Sequence, residues 1–149
     1  MSAVHDEHTG ASKPAVVLIV DDVPENLELL GAWLEDLPEV EVLTAADGVE
    51  ALEQVERGCP DLILLDVMMP RLSGFEVCRR LKADPATRSI PVAMVTVLGE
   101  TSDRERASQC GADDFISQPV QREELIRRAE RLLALGRLRH GQRQAADGP

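Results

Sequence analysis

The chain alternates short, almost wholly apolar runs with longer stretches in which apolar residues recur at helical spacing. Uniform apolar runs, without the alternation of a half-exposed strand, are typical of parallel strands that are covered on both faces. We therefore predict five strands, which are Ala15–Val20, Val40–Thr44, Leu62–Leu65, Ile90–Val97 and Asp114–Ile116.

Helical periodicity occupies the intervals between these strands. After Pro24, a residue suited to a first helical turn, Leu27, Leu30 and Leu34 share one helix face. A second helix follows Asp47-Gly48, carries Ala51, Leu52 and Val55, and is terminated by Gly58 and Pro60. Further helices are predicted from Ser73 to Ala83, from Thr101 to Cys110 and from Gln121 to about Leu138. Strands that alternate with helices predict an α/β fold, namely a doubly wound, five-stranded parallel sheet of flavodoxin-like (βα)5 topology.

The length of 149 residues suits one domain with short extensions. We predict a disordered polar leader over residues 1–14, a folded domain over 15–138 and a flexible tail over 139–149, with no second domain. Leu135 and Leu138 continue the apolar stripe of the last helix past what a sheet needs. Three interpretations stay open: an overlong helix, a linker to a further module, or a contact between two copies of the chain.

Composition excludes several classes of function. A net charge of −11 and an aromatic content of 2% argue against direct nucleic-acid binding, because phosphates repel acidic surfaces and base stacking needs aromatic rings. No run approaches the roughly 18 apolar residues of a membrane span, and the polar start lacks a signal-peptide pattern, so we predict a cytoplasmic protein. Cys59, Cys78 and Cys110 are widely spaced, and we interpret them as small buried hydrophobic residues in a reducing environment.

Polar residues stand where the predicted strands end. Asp21 and Asp22 follow the first strand, Asp66 follows the third, Thr96 lies near the end of the fourth, and Gln118 comes shortly after the fifth. Ligands of open α/β sheets bind outside the carboxyl ends of the strands, so these residues are expected to share one crevice. Three close carboxylates repel one another, and a hard cation such as Mg²⁺, which prefers oxygen ligands, would relieve that repulsion.

The motifs leave few chemistries for such a site. The sequence holds no GxxxxGK[ST] loop, no GxGxxG motif and no nucleophile elbow, so nucleotide binding and hydrolase chemistry find no support. A carboxylate beside Mg²⁺ can itself act as the nucleophile toward a phosphoryl group. Positioning and charge neutralisation would then supply most of the catalysis.

These motifs together resemble the response regulator receiver family of two-component systems, which has the CheY-like fold. The resemblance covers roughly Ala15 to Leu135. The chain resembles especially the receivers that precede cyclic-di-GMP-metabolising modules. It rests on the segments VDD at 20–22, LLDVMMP at 64–70 with Gly74, VT at 95–96, and GADDF at 111–115 with Pro119.

The resemblance implies a role for each matching position. Asp66 would accept a phosphoryl group from a histidine kinase or phosphotransfer protein. Asp22, Asp66 and the Met68 backbone carbonyl would bind Mg²⁺, with Asp21 acting through water. Thr96 would be the switch hydroxyl and Phe115 the aromatic switch residue. The Gln118–Pro119 bond would be cis.

The family's output surface implies the partners. The face made by the fourth predicted helix, the fifth strand and the last helix would bind a downstream protein or an output domain, or form a homodimer. The resemblance implies no enzyme activity beyond Mg²⁺-dependent self-phosphorylation and slow self-dephosphorylation. Apolar Met68 and Leu98, which flank the path of the hydrolytic water, favour the slow rate.

Two departures from the family pattern favour a second interpretation. Gln118 stands where most of the family has a lysine, and a neutral amide makes weaker hydrogen bonds than an ammonium. Val97 stands where the family usually has a small residue, and its side chain narrows access to Asp66. The alternative is therefore a degenerate receiver that acts as a phosphorylation-independent interaction module. A haloacid-dehalogenase-like phosphatase is disfavoured, because Met68 stands where that family's second acid would follow Asp66.

Overall fold

Parallel pairing of all five predicted strands produces one sheet in the order β2-β1-β3-β4-β5. The computed structural model describes residues 13–96, 105 and 108–147. The strands are β1 (Ala15–Val20), β2 (Val40–Ala45), β3 (Leu62–Asp66), β4 (Val92–Thr96) and β5 (Asp114–Ser117). The predicted doubly wound, flavodoxin-like fold is confirmed.

Helices cover both faces of this sheet. Four of the five predicted helices are described over most of their length: α1 (Pro24–Leu34), α2 (Gly48–Gly58), α3 (Gly74–Ala83) and α4 (Arg122–Asp147). Helices α2 and α3 share one apolar cluster with one set of alternate strand residues, and α1 and α4 share a second cluster with the other set. The helix predicted over Thr101–Cys110 falls mostly outside the described residues.

Local chemistry explains where the helices start. Pro24 occupies the first turn of α1, where its missing N–H costs nothing. The side chain of Asp47 caps α2 by accepting the Glu50 backbone N–H at 2.8 Å, and the Ser73 hydroxyl caps α3 by accepting that of Glu76 at 3.2 Å. Each cap satisfies a backbone N–H at the start of its helix, so each helix begins directly after its loop.

Strand residues alternate between the two clusters. In β1, Leu18 and Val20 join the cluster beneath α2 and α3, whereas Val17 and Ile19 join the one beneath α1 and α4. All four side chains are buried, as the uniform apolar run predicts. The sheet is therefore packed on both faces by apolar clusters, and the carboxyl ends of its strands lie between them.

Several bounds differ by one residue from the sequence prediction, and three differences are larger or of another kind. Helix α4 continues to Asp147 rather than ending near Leu138, because the good helix formers at 142–146 (QRQAA) outweigh the glycine at 141. Strand β4 begins at Val92 rather than Ile90. Cys59 is exposed, not buried, because it occupies the left-handed position (φ 42°) that closes α2.

Candidate functional site

Three aspartates meet at the carboxyl edge of the sheet. Asp21 and Asp22 follow β1, and Asp66 ends β3, which pairs with β1 in parallel register. One carboxylate oxygen from each lies within 4.8 Å of the others. Asp21 is 2% exposed, Asp66 is half-buried and Asp22 is exposed. The structure thus brings together the three carboxylates that the sequence placed at strand ends.

Asp21 is held by the first turn of α1. Its Oδ1 accepts the Val23 backbone N–H at 2.9 Å, and its Oδ2 accepts the Asn26 side-chain amide at 3.1 Å. Both hydrogen bonds fix the orientation of the Asp21 carboxyl group. Asn26 is not among the site residues predicted from the sequence, although an asparagine in the first turn of a helix is a recognisable signal because of its low helix propensity.

Asp66 differs from an ordinary surface acid. Burial, followed by the negative charge of Asp21, raises the pKa of the Asp66 carboxyl to about 7. Backbone hydrogen bonds from Met68 and Val67 oppose this rise, and the Met68 N–H lies 3.4 Å from Asp66 Oδ1. The site therefore holds more negative charge than it can stabilise alone, which favours binding of a cation.

The loop after β3 passes unusually close to α3. A Cβ placed on Gly74 would lie 2.1 Å from the Asp66 carbonyl oxygen and 3.0 Å from the Val67 Cα. The Gly74 N–H donates to the Val67 carbonyl at 3.1 Å, which closes the loop. Only glycine permits this approach, and the geometry gives a physical reason for the glycine that the sequence pattern contains.

The remaining predicted site residues lie on or directly after β4 and β5, which are one and two strands away from β3 in the sheet. Thr96 ends β4, and its backbone is in register with Ser117 of β5. Phe115 is half-buried and packs against the cluster beneath α2 and α3. Gln118 is half-buried and precedes Pro119 through a cis peptide bond, as the family resemblance implied.

The sequence led us to expect that Met68, Val97 and Leu98 influence access to Asp66. Met68 is 60% exposed beside Asp66, so its side chain is available to influence solvent access. Val97 and Leu98, which entered the interpretation of access and lifetime, lie outside the described residues, as does the side chain of Thr96.

The donor atoms of the aspartate cluster fit a hard divalent cation. All the side-chain donors are carboxylate oxygens, which suit Mg²⁺ rather than the nitrogen- and sulfur-seeking Zn²⁺. Asp66 and the exposed Asp22 present oxygens at the surface, whereas Asp21 is buried behind them.

Elsewhere along the described segments, none of the helices is long and apolar enough to cross a membrane.

The profile of the response regulator receiver domain matches residues 17–130. The chain is 49% identical over 106 residues to the response regulator PleD of Caulobacter vibrioides, which covers 71% of this chain and 23% of PleD. The chain therefore spans less than a quarter of the length of PleD.

Solved structures agree with this match. The receiver domain of a signal transduction histidine kinase from Syntrophus aciditrophicus is 38% identical, with a TM-score of 0.75 over 80% of this chain and 90% of that one. The Vibrio cholerae chemotaxis protein CheY4 is 30% identical, with a TM-score of 0.75 over 80% of this chain and 98% of that one. The chain belongs to the response regulator receiver domain family of two-component signal transduction.

Proposed function

We propose that this receiver accepts a phosphoryl group on Asp66 from a histidine kinase or phosphotransfer protein. The observation that carries the proposal is the convergence of Asp21, Asp22 and Asp66 within 4.8 Å at the carboxyl edge of the sheet. An unpartnered surface acid would have no such neighbours, whereas a phosphoryl acceptor needs a cation site adjoining its nucleophile.

The residues divide the work as follows. A carboxylate oxygen of Asp66 forms the new bond to phosphorus, while the bond to the donor's nitrogen or oxygen breaks and the donor keeps that electron pair. Asp22, Asp66 and the Met68 backbone carbonyl would hold Mg²⁺, with Asp21 acting through water. When bound, Mg²⁺ neutralises the charge that accumulates on the transferring phosphoryl oxygens.

The state of Asp66 sets a condition on this reaction. Its pKa of about 7 in the unliganded chain means that a substantial fraction is protonated near neutral pH. A protonated carboxyl is a poor nucleophile. Binding a cation beside it favours the charged form, so metal binding would also prepare the acceptor.

The response to phosphorylation would run through Thr96 and Phe115. The Thr96 hydroxyl would hydrogen-bond the new phosphoryl oxygen, and Phe115, one strand away on β5, would turn inward. The surface formed by β5, α4 and the helix before β5 would then bind a downstream protein, an output domain or a second copy of the chain. The match covers 23% of PleD, so that relative continues well beyond the matched region. This supports the proposal that the receiver acts on an output domain.

The test is incubation of the whole chain with Mg²⁺ and acetyl phosphate, followed by intact mass measurement. We expect a phosphoryl adduct on the parent that requires Mg²⁺ and is absent from Asp66→Asn. An adduct of equal amount on both proteins would refute Asp66 as the acceptor.

Gln118 favours a second candidate, a phosphorylation-independent interaction module on the same fold. An amide here cannot supply the charge-assisted bond that an ammonium gives a phosphoryl oxygen. This candidate predicts no adduct with acetyl phosphate or with a cognate kinase. It also predicts that Asp66→Asn binds the downstream partner as tightly as the parent does.

A further inference from the structure

Two cysteines that are 32 positions apart in the sequence meet in the core. Cys78 lies on the inner face of α3, and Cys110 ends the helical turn before β5. The Cys78 thiol donates a hydrogen bond to the Cys110 carbonyl oxygen, with 3.5 Å between Sγ and O. Both side chains are buried, with 0% exposure for Cys78 and 6% for Cys110.

The turn that carries Cys110 is fixed against α3. Gly111 has a φ of 91°, and its N–H donates to the Ser108 carbonyl at 3.1 Å. A Cβ on Gly111 would lie 2.9 Å from the Lys82 Cγ, so the turn contacts α3 one helical turn beyond Cys78. The backbone of this turn therefore fixes the position of Cys110 against α3.

The two thiols differ in chemical character. Hydrogen bonding from Cys78 lowers the pKa of the Cys110 thiol to about 7, against the effect of burial and with help from the Ala112 backbone N–H. The same hydrogen bond, together with burial, raises the pKa of Cys78. A thiol of lowered pKa next to a second, protonated thiol can attack an oxidant, and the second sulfur can then resolve the product.

We propose that Cys78 and Cys110 form a reversible oxidation site, with Cys110 as the attacking sulfur and Cys78 as the resolving sulfur. The oxidant is a peroxide. The Cys110 sulfur attacks a peroxide oxygen, the O–O bond breaks, and sulfenic acid and one water (from hydrogen peroxide) result. The Cys78 sulfur then attacks the Cys110 sulfur, the S–O bond breaks, and a disulfide and a second water result. Two thiols lose two electrons in total, and one peroxide gains them.

The bond would connect α3 to the turn that leads into β5. Helix α3 begins at Gly74, against the Asp66 backbone, and β5 carries Phe115. Oxidation would therefore restrain the segment whose movement the receiver uses, which couples redox state to signalling. This consequence rests on the proposed function, whereas the disulfide itself does not.

Cys59, the exposed cysteine that closes α2, is replaced by serine so that only the two buried thiols remain. In a Cys59→Ser background, the reduced chain is treated with hydrogen peroxide, alkylated, and digested without reduction. We expect loss of both remaining thiols and a peptide pair linked through Cys78 and Cys110, reversed by dithiothreitol. This measurement needs no substitution in the core.

Single variants then assign the two roles. In Cys78→Ala, we expect a dimedone-reactive sulfenic acid at Cys110, because no resolving sulfur remains; in Cys110→Ala, we expect none at Cys78. Persistence of both thiols until the chain is unfolded by urea would overturn the proposal. So would oxidation of Cys110 in the parent to sulfinic acid without any cross-link. Acetyl phosphate labelling of the reduced protein, measured in parallel, reports on the proposed function separately.

Discussion

Asn26 donates a hydrogen bond from Nδ2 to Oδ2 of Asp21 over 3.1 Å, across the first turn of α1. The acceptor is a carboxylate that is only 2% exposed and adjoins the acidic Asp66. A buried polar group in such surroundings needs hydrogen-bond donors to satisfy it. Asn26 therefore fixes the orientation of the Asp21 carboxyl group within the aspartate cluster.

Replacement of Asn26 by alanine is expected to weaken Mg²⁺ binding. Loss of a residue that orients a metal ligand typically costs about 10- to 100-fold in affinity. The increase in melting temperature as a function of Mg²⁺ concentration measures that affinity, because the ion stabilises the folded chain that binds it. Leu29→Ala, on the exposed face of the same helix, is the matched control. Equal Mg²⁺ midpoints for parent and Asn26→Ala would contradict the role of Asn26.

Gly74→Ala is expected to destabilise the fold strongly. The new Cβ would fall 2.1 Å from the Asp66 carbonyl oxygen, so backbone has to move, at a cost of about 3 kcal/mol or more in the free energy of unfolding. Gly58→Ala is the matched control, since nothing lies within 4 Å of its Cβ position in α2. That change should stabilise the chain by about 0.5–1 kcal/mol. Urea unfolding of both variants measures the contrast, and similar midpoints would refute the predicted clash.

The raised pKa of Asp66 predicts a pH-dependent effect of Asp66→Asn in EDTA. Below the unfolded value of 3.8, both states are protonated and the residue costs nothing. As pH rises toward about 7, the unfolded chain releases its proton first, so folding becomes progressively less favourable, and the cost is complete above that value. Asp66→Asn should therefore raise the melting temperature more at about pH 8 than at about pH 4. Glu53→Gln, exposed on α2, serves as control, and an equal gain at both pH values would count against the shift.

Asp113 is expected to be one of the most sensitive positions in the chain. Its Oδ2 accepts from Lys82 Nζ at 3.0 Å and from the Val92 N–H at 2.9 Å, and its Oδ1 accepts from Arg139 at 2.5 Å. Asp113→Asn leaves Lys82, whose side chain is 14% exposed, without its counter-charge, at a cost of about 3–5 kcal/mol in unfolding free energy. Arg71→Ala breaks an exposed pair with Asp47 and should cost less than about 1 kcal/mol.

The same carboxylate predicts acid sensitivity. Burial alone would raise the pKa of Asp113, but Arg139, the Val92 N–H and Lys82 outweigh it and lower the pKa below 3.8. The stabilisation is therefore complete above the unfolded pKa and is lost as pH falls through the lower folded value. The difference in unfolding free energy between parent and Asp113→Asn should shrink in strong acid. A difference that is unchanged from neutral to acid conditions would contradict the shift.

Gln118→Lys is expected to accelerate labelling by acetyl phosphate. A lysine ammonium would add a charge-assisted bond to the phosphoryl oxygens, and we expect about a tenfold increase in rate, equivalent to about 1.4 kcal/mol of the barrier. Gln121→Lys adds the same charge at an exposed position nearby and should leave the rate within about twofold. Identical rates for all three proteins would show that position 118 does not face the phosphoryl group.

The sequence alone determined the strands, their order of appearance and the placement of Asp21, Asp22 and Asp66 at strand ends. Apolar runs and helical periods are local properties, and parallel βα units leave little freedom in how they assemble. This is why β1, which was predicted as Ala15–Val20, has those same limits in the structure.

Tertiary structure decided what local patterns cannot express. The role of Asn26 depends on where the first turn of α1 points, and the requirement for Gly74 depends on how closely a loop approaches a neighbouring helix. The contact between Cys78 and Cys110 joins elements 32 residues apart, and Arg139 reaches Asp113 only because α4 crosses the sheet. Contacts of this kind arise from the assembly of elements, so no single segment of the chain contains the information that specifies them.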